Sequence, residues 1–377
     1  MLSITFLLKG LKEMKFKKLI LLIAVVFCCG IFPQTSFASE FNFAVTPQAS
    51  ANQIDKNKTY FDLLLAPNQT DELTVTLRND TAQKVVVEAQ INSATTNSNG
   101  VVEYSQNAIK ADQTLQYNIK DFTKAPNEIT LAPHSAAEYK VKVQMPNEKF
   151  AGVIAGGITF KEKVADENKD ETKKADKGLA IKNEYSYVVA LLMRQTTKNG
   201  APDLKLTQVA ANQRNARNVI EGNLQNPKPT YLNQLATKTT ITKKGSDKVL
   251  FTSEQVGMQM APNSNFNLGV ALNGEPLKAG QYTMKIEAFG QENPKGQYQL
   301  KGDEAKTKYE YHWVLAKDFE IKAEVAKKLN DTDVTIKKDY TWLYILIGLL
   351  LLLLIILIVL IWRRKKNKED DETKDPD

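Results

Sequence analysis

The sequence predicts an all-β protein: two tandem immunoglobulin-like β-sandwiches, followed by one transmembrane α-helix. Three observations predict it. Apolar and polar residues alternate with a period of two along much of the chain, one pattern of strands and turns occurs twice, and an uncharged stretch rich in Leu and Ile lies near the C-terminus. The chain has 377 residues, too many for one ordinary core, and its 25% charged and 42% hydrophobic residues are normal globular usage.

The first element is an export signal. Met14-Lys15-Phe16-Lys17-Lys18 is basic, Leu19 to Gly30 is an apolar run too short to span a bilayer comfortably, and Ser36-Phe37-Ala38 sets small residues before a cleavage point at Ser39. Residues 1–38 therefore read as a signal peptide, with Met1 or Met14 as the start. The only two cysteines, Cys28 and Cys29, lie inside it. The mature chain is then expected to hold no disulfide and no zinc site of the Cys type.

The strands come next. Leu73, Val75 and Leu77 alternate with Thr74, Thr76 and Arg78; Tyr139, Val141, Val143 and Met145 with Lys140, Lys142 and Gln144; Tyr282, Met284, Ile286 and Ala288 with Thr283, Lys285 and Glu287. Each pattern describes a strand with one wet face. Turns follow from Ala66-Pro67-Asn68, Ala132-Pro133-His134, Ala261-Pro262-Asn263 and Leu272-Asn273-Gly274.

Leu131-Ala132-Pro133-His134-Ser135, an alternating strand and Ala151-Gly152 are answered by Met260-Ala261-Pro262-Asn263-Ser264, an alternating strand and Ala279-Gly280. Upstream, Leu77-Arg78-Asn79 corresponds to Leu224-Gln225-Asn226. By composition, the charged run 161–180 reads as a linker. The repeat favours a long hairpin loop over 161–183, with Tyr185 to Arg194 as the last strand of the first domain. The domains are then expected at 39–196 and 200–323, with a stalk over 324–340, the membrane helix over 341–362 and a cytoplasmic tail over 363–377. Arg363-Arg364-Lys365-Lys366 follows the helix and keeps that end inside.

Catalytic constellations are missing from the pattern. The two histidines, His134 and His312, fall in different domains and read as structural, and among the 43 acidic residues, which leave room for a carboxylate pair of the glycosidase kind, nothing singles one out. Gly152-Val153-Ile154-Ala155-Gly156-Gly157 sits in a strand pattern, where glycine marks a bulge or close packing and not a phosphate cradle. Asp166, Glu167, Asp170 and Glu171 interleave with lysines as a solvated loop. No catalytic or metal-ligating residue and no cofactor is expected. The +7 formal charge is concentrated in the signal segment, so nucleic acid is not an expected partner.

The residues also carry a family resemblance. Phe43-Ala44-Val45-Thr46-Pro47, Tyr60-Phe61-Asp62-Leu63, Leu77-Arg78-Asn79, the loop from Asn92 to Tyr104, Met145-Pro146 and Gly152 to Ile158 resemble the N-terminal domain of the WxL-interacting proteins of Gram-positive bacteria. Leu204-Lys205-Leu206, Leu224-Gln225-Asn226-Pro227, Met260 to Ser264, Leu277 to Tyr282 and His312-Trp313-Val314 resemble their second domain.

The resemblance implies a membrane-anchored surface protein. Its first domain would bind peptidoglycan, and its second a host extracellular matrix protein. It would also form a complex with secreted WxL-domain surface proteins. An alternative is a non-catalytic accessory subunit of a system that degrades or remodels wall polysaccharide.

The first domain carries an insertion, roughly Ile91 to Gln113, that the second lacks. Loops on a rigid sandwich often bind ligands, although a merely solvated excursion would look the same. Asn92, Thr95, Thr96, Asn97 and Asn99 offer groups that donate and accept, as sugar hydroxyls require, Gly100 permits a tight return, and Tyr104 adds a ring with a polar tip. These are the expected peptidoglycan contacts, with Tyr60 and Phe61 as further candidates.

Overall fold

A computed structural model describes residues 42–163, 185–198, 200–300, 302, 305–337 and 340–372. The expected signal peptide, most of the charged hairpin loop and the last tail residues lie outside the described residues.

The first sandwich contains β1 (Ala44–Pro47), β2 (Phe61–Leu64), β3 (Thr70–Asn79), β4 (Val85–Ser93), β5 (Thr95–Thr96), β6 (Val102–Glu103), β7 (Thr123–Lys124), β8 (Glu128–Leu131), β9 (Ser135–Gln144), β10 (Ile154–Glu162) and β11 (Ser186–Arg194). One sheet has the order β1-β3-β9-β7 and the other β2-β11-β10-β4-β8. β11 runs antiparallel to β10, with Ile158 opposite Val189, which is the pairing the repeat predicts for Tyr185 to Arg194. β2 joins its other edge in parallel, setting Leu192 against Asp62.

The period-two pattern explains the core. Leu73, Val75 and Leu77 from one sheet meet Val87, Ile158, Phe160, Leu191 and Met193 from the other. Tyr139 packs edge-on to Phe160, with ring centroids 5.2 Å apart, and donates to the Pro126 carbonyl. Each fully buried large side chain contributes roughly 1.5–3 kcal/mol of transfer free energy.

The second sandwich contains β12 (Lys205–Arg214), β13 (Arg217–Asn226), β14 (Leu232–Lys243), β15 (Val249–Met260), β16 (Ser264–Ala271), β17 (Gly280–Glu292), β18 (Tyr298–Gln299) and β19 (Lys308–Ile321). Its sheets have the orders β12-β13-β16 and β15-β14-β17-β19-β18. Trp313 and Leu315 of the Trp313-Val314-Leu315 triplet pack against this core.

The sequence repeat is a repeat of hydrogen bonds. Asn79 and Asn226 are both fully buried. Asn79 Nδ2 donates to Ala132 O at 2.9 Å, and Asn226 Nδ2 donates to Ala261 O at 3.1 Å. Their Oδ1 atoms accept from the backbone N–H two residues on, in Thr81 and Lys228. After each proline, His134 and Asn263 both take φ of 49°, and Ser135 and Ser264 both donate to the alanine carbonyl three residues back at 2.8 Å.

The expected stalk is partly folded. Residues Ala323–Thr332 form a helix, α1, that buries Ala326 against the second core and lays Leu329 on it. Asn330 Oδ1 accepts from Asn218 Nδ2 and Leu277 N, both at 2.9 Å. Asp333 Oδ2 accepts from Asn218 N at 2.7 Å. Only two apolar side chains anchor this helix, too few to stand out as a period in the sequence.

Helix α2 (Thr341–Glu372) follows. Its part Thr341–Arg363 has 23 residues and a mean hydropathy of 3.6 over its most apolar 18-residue window, long and apolar enough to cross a membrane.

Candidate functional site

The insertion in the first sandwich lies against the second. After β4, the chain makes the β5–β6 hairpin and a long excursion before Ile119. Asn97 closes the hairpin turn: its Oδ1 accepts from Asn99 N at 2.9 Å and Val101 N at 3.1 Å, and its Nδ2 donates to Glu103. Gly100 takes φ of 68° there, and a Cβ at that position would lie 2.7 Å from Met258 Cβ. Only glycine meets both demands, left-handed backbone and close approach.

Polar contacts fasten this seam. Thr96 Oγ1 lies 2.7 Å from Ser264 Oγ and accepts from Ala261 N at 3.0 Å. Gly100 O accepts from Gln259 N at 2.7 Å, and Val153 N donates to Pro229 O at 2.7 Å. Asp112, 8% exposed, accepts from Gln225 Nε2 at 3.0 Å and Asn265 Nδ2 at 2.6 Å. Burial raises the pKa of Asp112, but the hydrogen bonds from Thr114, Gln225 and Asn265 outweigh it and hold the pKa below the usual value. A small apolar cluster of Ala94, Val102, Val153, Ala155, Leu192 and Ala261 seals the middle.

A cleft of about 600 Å³ opens beside that cluster, between the sandwiches. Tyr60 and Tyr104 line it from the first sandwich, and Tyr231 and Tyr311 from the second. Tyr104 reaches the cleft by passing over Gly157, where a Cβ would sit 2.6 Å from the Tyr104 Cβ. The Tyr104 and Tyr231 hydroxyls are 3.0 Å apart. Burial pushes both phenols up, Tyr231 further, so both stay neutral.

On the cleft wall, Arg194 Nη2 donates to Asp62 Oδ2 at 3.1 Å, and Nε lies 2.9 Å from Oδ1. Burial raises the Asp62 pKa more than Arg194 lowers it. Asn233, Gln259, Gln291 and Glu310 complete the rim.

The expected site residues divide. Tyr60 and Tyr104 meet in the large cleft. Asn92, Thr95 and Thr96 line a smaller polar cavity of about 170 Å³ on the other side of the seam, beside Asp112 and Lys120. Three of the expected residues are engaged inside the protein. Phe61 is 1% exposed and points into the first core, because strand alternation sends it opposite to Tyr60. Thr96, 1% exposed, is occupied by Ser264 and Ala261. Gly100 is buried under Met258. None of these three presents a free surface to a polymer. Asn97 spends its amide on its own turn, and Asn99 stays exposed.

The sequence did not single out Asp62, Arg194, Tyr231 or Tyr311. Asp62 was the accessible one, since it shares a strand face with Tyr60.

Among the described residues, no group of three or more His, Cys, Asp or Glu side chains could hold a metal ion.

Two family models match: the WxL Interacting Protein peptidoglycan binding domain over residues 43–162 and the WxL Interacting Protein host binding domain over residues 176–331. The second match begins before β11, a strand that the structure assigns by pairing to the first sandwich. No curated protein matches the chain. Similar solved structures include the class 5 fimbriae chaperone CfaA, at 10% identity and TM-score 0.28, covering 73% of this chain and 99% of that one. The E. coli chaperone DraB is another, at 14% identity and TM-score 0.24, covering 74% of this chain and 98% of that one.

Proposed function

Since the chain belongs to the WxL-interacting protein family, we propose that it is a membrane-anchored surface binding protein that grips peptidoglycan in the cleft between its sandwiches. The observation that carries this is the convergence of Tyr60 and Tyr104, both inside the peptidoglycan-binding match, on a cleft rimmed by amides. Phenol rings offer flat apolar faces for sugar rings, and the rim amides of Asn233, Gln259 and Gln291 donate and accept toward hydroxyl and acetamido groups. A volume of about 600 Å³ accommodates a short saccharide with part of its peptide.

The signal segment exports the chain, Ser39 begins the mature protein, and Thr341–Arg363 holds it in the membrane with the basic tail inside. The second sandwich carries the protein-binding role that its family name describes, toward WxL-domain surface proteins or a host matrix protein. The absence of a histidine-nucleophile pair in the sequence and the binding character of both matched domains support a non-catalytic role.

Cosedimentation of the detergent-solubilised full chain with purified peptidoglycan tests the site. Tyr60→Ala and Tyr104→Ala should each weaken binding by about tenfold, at the low end of the ~1–3 kcal/mol that an aromatic ring contributes when it stacks on a nucleic-acid base. Undiminished sedimentation of the double variant would move the site elsewhere.

A further inference from the structure

We propose that the interdomain cleft selects a primary ammonium group on the wall polymer, seating it among the tyrosine rings and beside a carboxylate. This rests on the cleft being the wall site and goes further by naming the chemistry it reads.

Four tyrosines line the cavity: Tyr60, Tyr104, Tyr231 and Tyr311. Ring faces carry negative potential and attract cations, most strongly where water is excluded. The charges agree in sign. Asp62, Glu310 and Arg194 are the charged residues among those lining the cleft, leaving it one negative charge in excess.

Glu310 adds an acceptor. Asp62 is paired with Arg194 in the wall, whereas the Glu310 carboxylate is exposed on the rim, where an ammonium offers three donors and the complementary charge. A carboxylate would fare worse. It would face Asp62 and Glu310, and the one cation lining the cleft, Arg194, is already engaged by Asp62. A neutral hydroxyl could donate to Glu310 but would gain little from the rings.

Wall polymers carry alkali-stable primary amines, on peptide stems and de-N-acetylated sugars, and alkali-labile ones, as aminoacyl esters on accessory polymers. Mild alkali removes the esters and spares the stem amines.

The test is cosedimentation of the full-length protein in detergent with purified wall, either native, N-acetylated with acetic anhydride, or alkali-treated. Acetylation should weaken binding about tenfold, as expected for losing a desolvated cation–ring contact. Nα-acetyl-lysine amide should compete with native wall, and its Nε-acetylated form should not. Glu310→Gln, a change on the exposed rim, should reduce binding of native wall several-fold and binding of acetylated wall by less, so that the two preparations bind the variant more nearly alike; an equal loss for both would count against the ammonium.

Retention after alkali assigns the amine to the alkali-stable class, and loss assigns it to the ester. Equal binding of native and acetylated wall would overturn the ammonium proposal while leaving the wall site standing. Failure to bind any of the three preparations would overturn both.

Discussion

The hydroxyls of Thr96 and Ser264, one in each sandwich, lie 2.7 Å apart in a buried contact. Ser264 also closes the proline turn of its own domain through Ala261 O, so a residue of the internal repeat doubles as a docking point for the insertion. The seam should therefore make the two sandwiches unfold together. Thr96→Val combined with Asp112→Ala removes the contacts to Ser264, Ala261, Gln225 and Asn265. At about 1 kcal/mol per net hydrogen bond, this should cost roughly 2–4 kcal/mol of coupling. Calorimetry should show one transition in the parent and two in the variant; a single transition in both would show that the seam does not couple them.

Acid should loosen the same seam. The folded pKa of Asp112 lies below its unfolded value of 3.8, so its stabilisation is fully present above that value and is lost as pH falls through the folded pKa. The parent should lose thermal stability between about pH 4 and pH 2 more steeply than Asp112→Asn, which has no carboxylate to protonate. Parallel melting curves across that range would contradict it.

Alkali acts through the cleft. Tyr231 keeps its proton well above the usual phenol value of 10.0, so the unfolded chain ionises first and stability falls as pH rises beyond that value. Tyr231→Phe should flatten the decline, measured as the change in denaturant midpoint between about pH 9 and pH 11.

Asn79 and Asn226 hold equivalent turns from fully buried positions. Replacing either by Ala strands turn carbonyls and a backbone N–H without partners, a cost of about 2–4 kcal/mol by urea denaturation. If both substitutions are tolerated within about 0.5 kcal/mol, the turns do not depend on these amides.

Gly157 makes room for Tyr104. Gly157→Val should shift the loop, weaken wall binding in step with Tyr104→Ala, and cost about 1–3 kcal/mol of stability through overcrowding. Retained wall binding would show that Tyr104 does not need this path.

The strands were legible because Tyr139, Val141 and Val143 face one core and alternate with lysines. The repeat was legible because Asn79 and Asn226 answer the same turn chemistry. The direction of the insertion was not. Thr96 meets Ser264 across 168 positions, and no local pattern encodes how two sandwiches are set side by side. Polar residues such as Asn92 to Asn99 look alike in sequence whether they serve a ligand, a turn or a seam, and here many of them serve the turn and the seam. Phe61 shares its buried face with Leu63, two positions on.

Helix α1 bears on reach. Its docking, together with the Val334 N to Ala216 O bond, ties the chain to the second sandwich as far as Thr335. Residues 336–340 alone then separate the sandwich from Thr341, the start of the apolar helix. Fully extended, that leash spans at most ~20 Å. If that helix spans a membrane, the second sandwich can stand no further than this from the helix's first turn. A partner of the second sandwich would then have to meet it beside the helix, whereas the first sandwich is tethered only through the second.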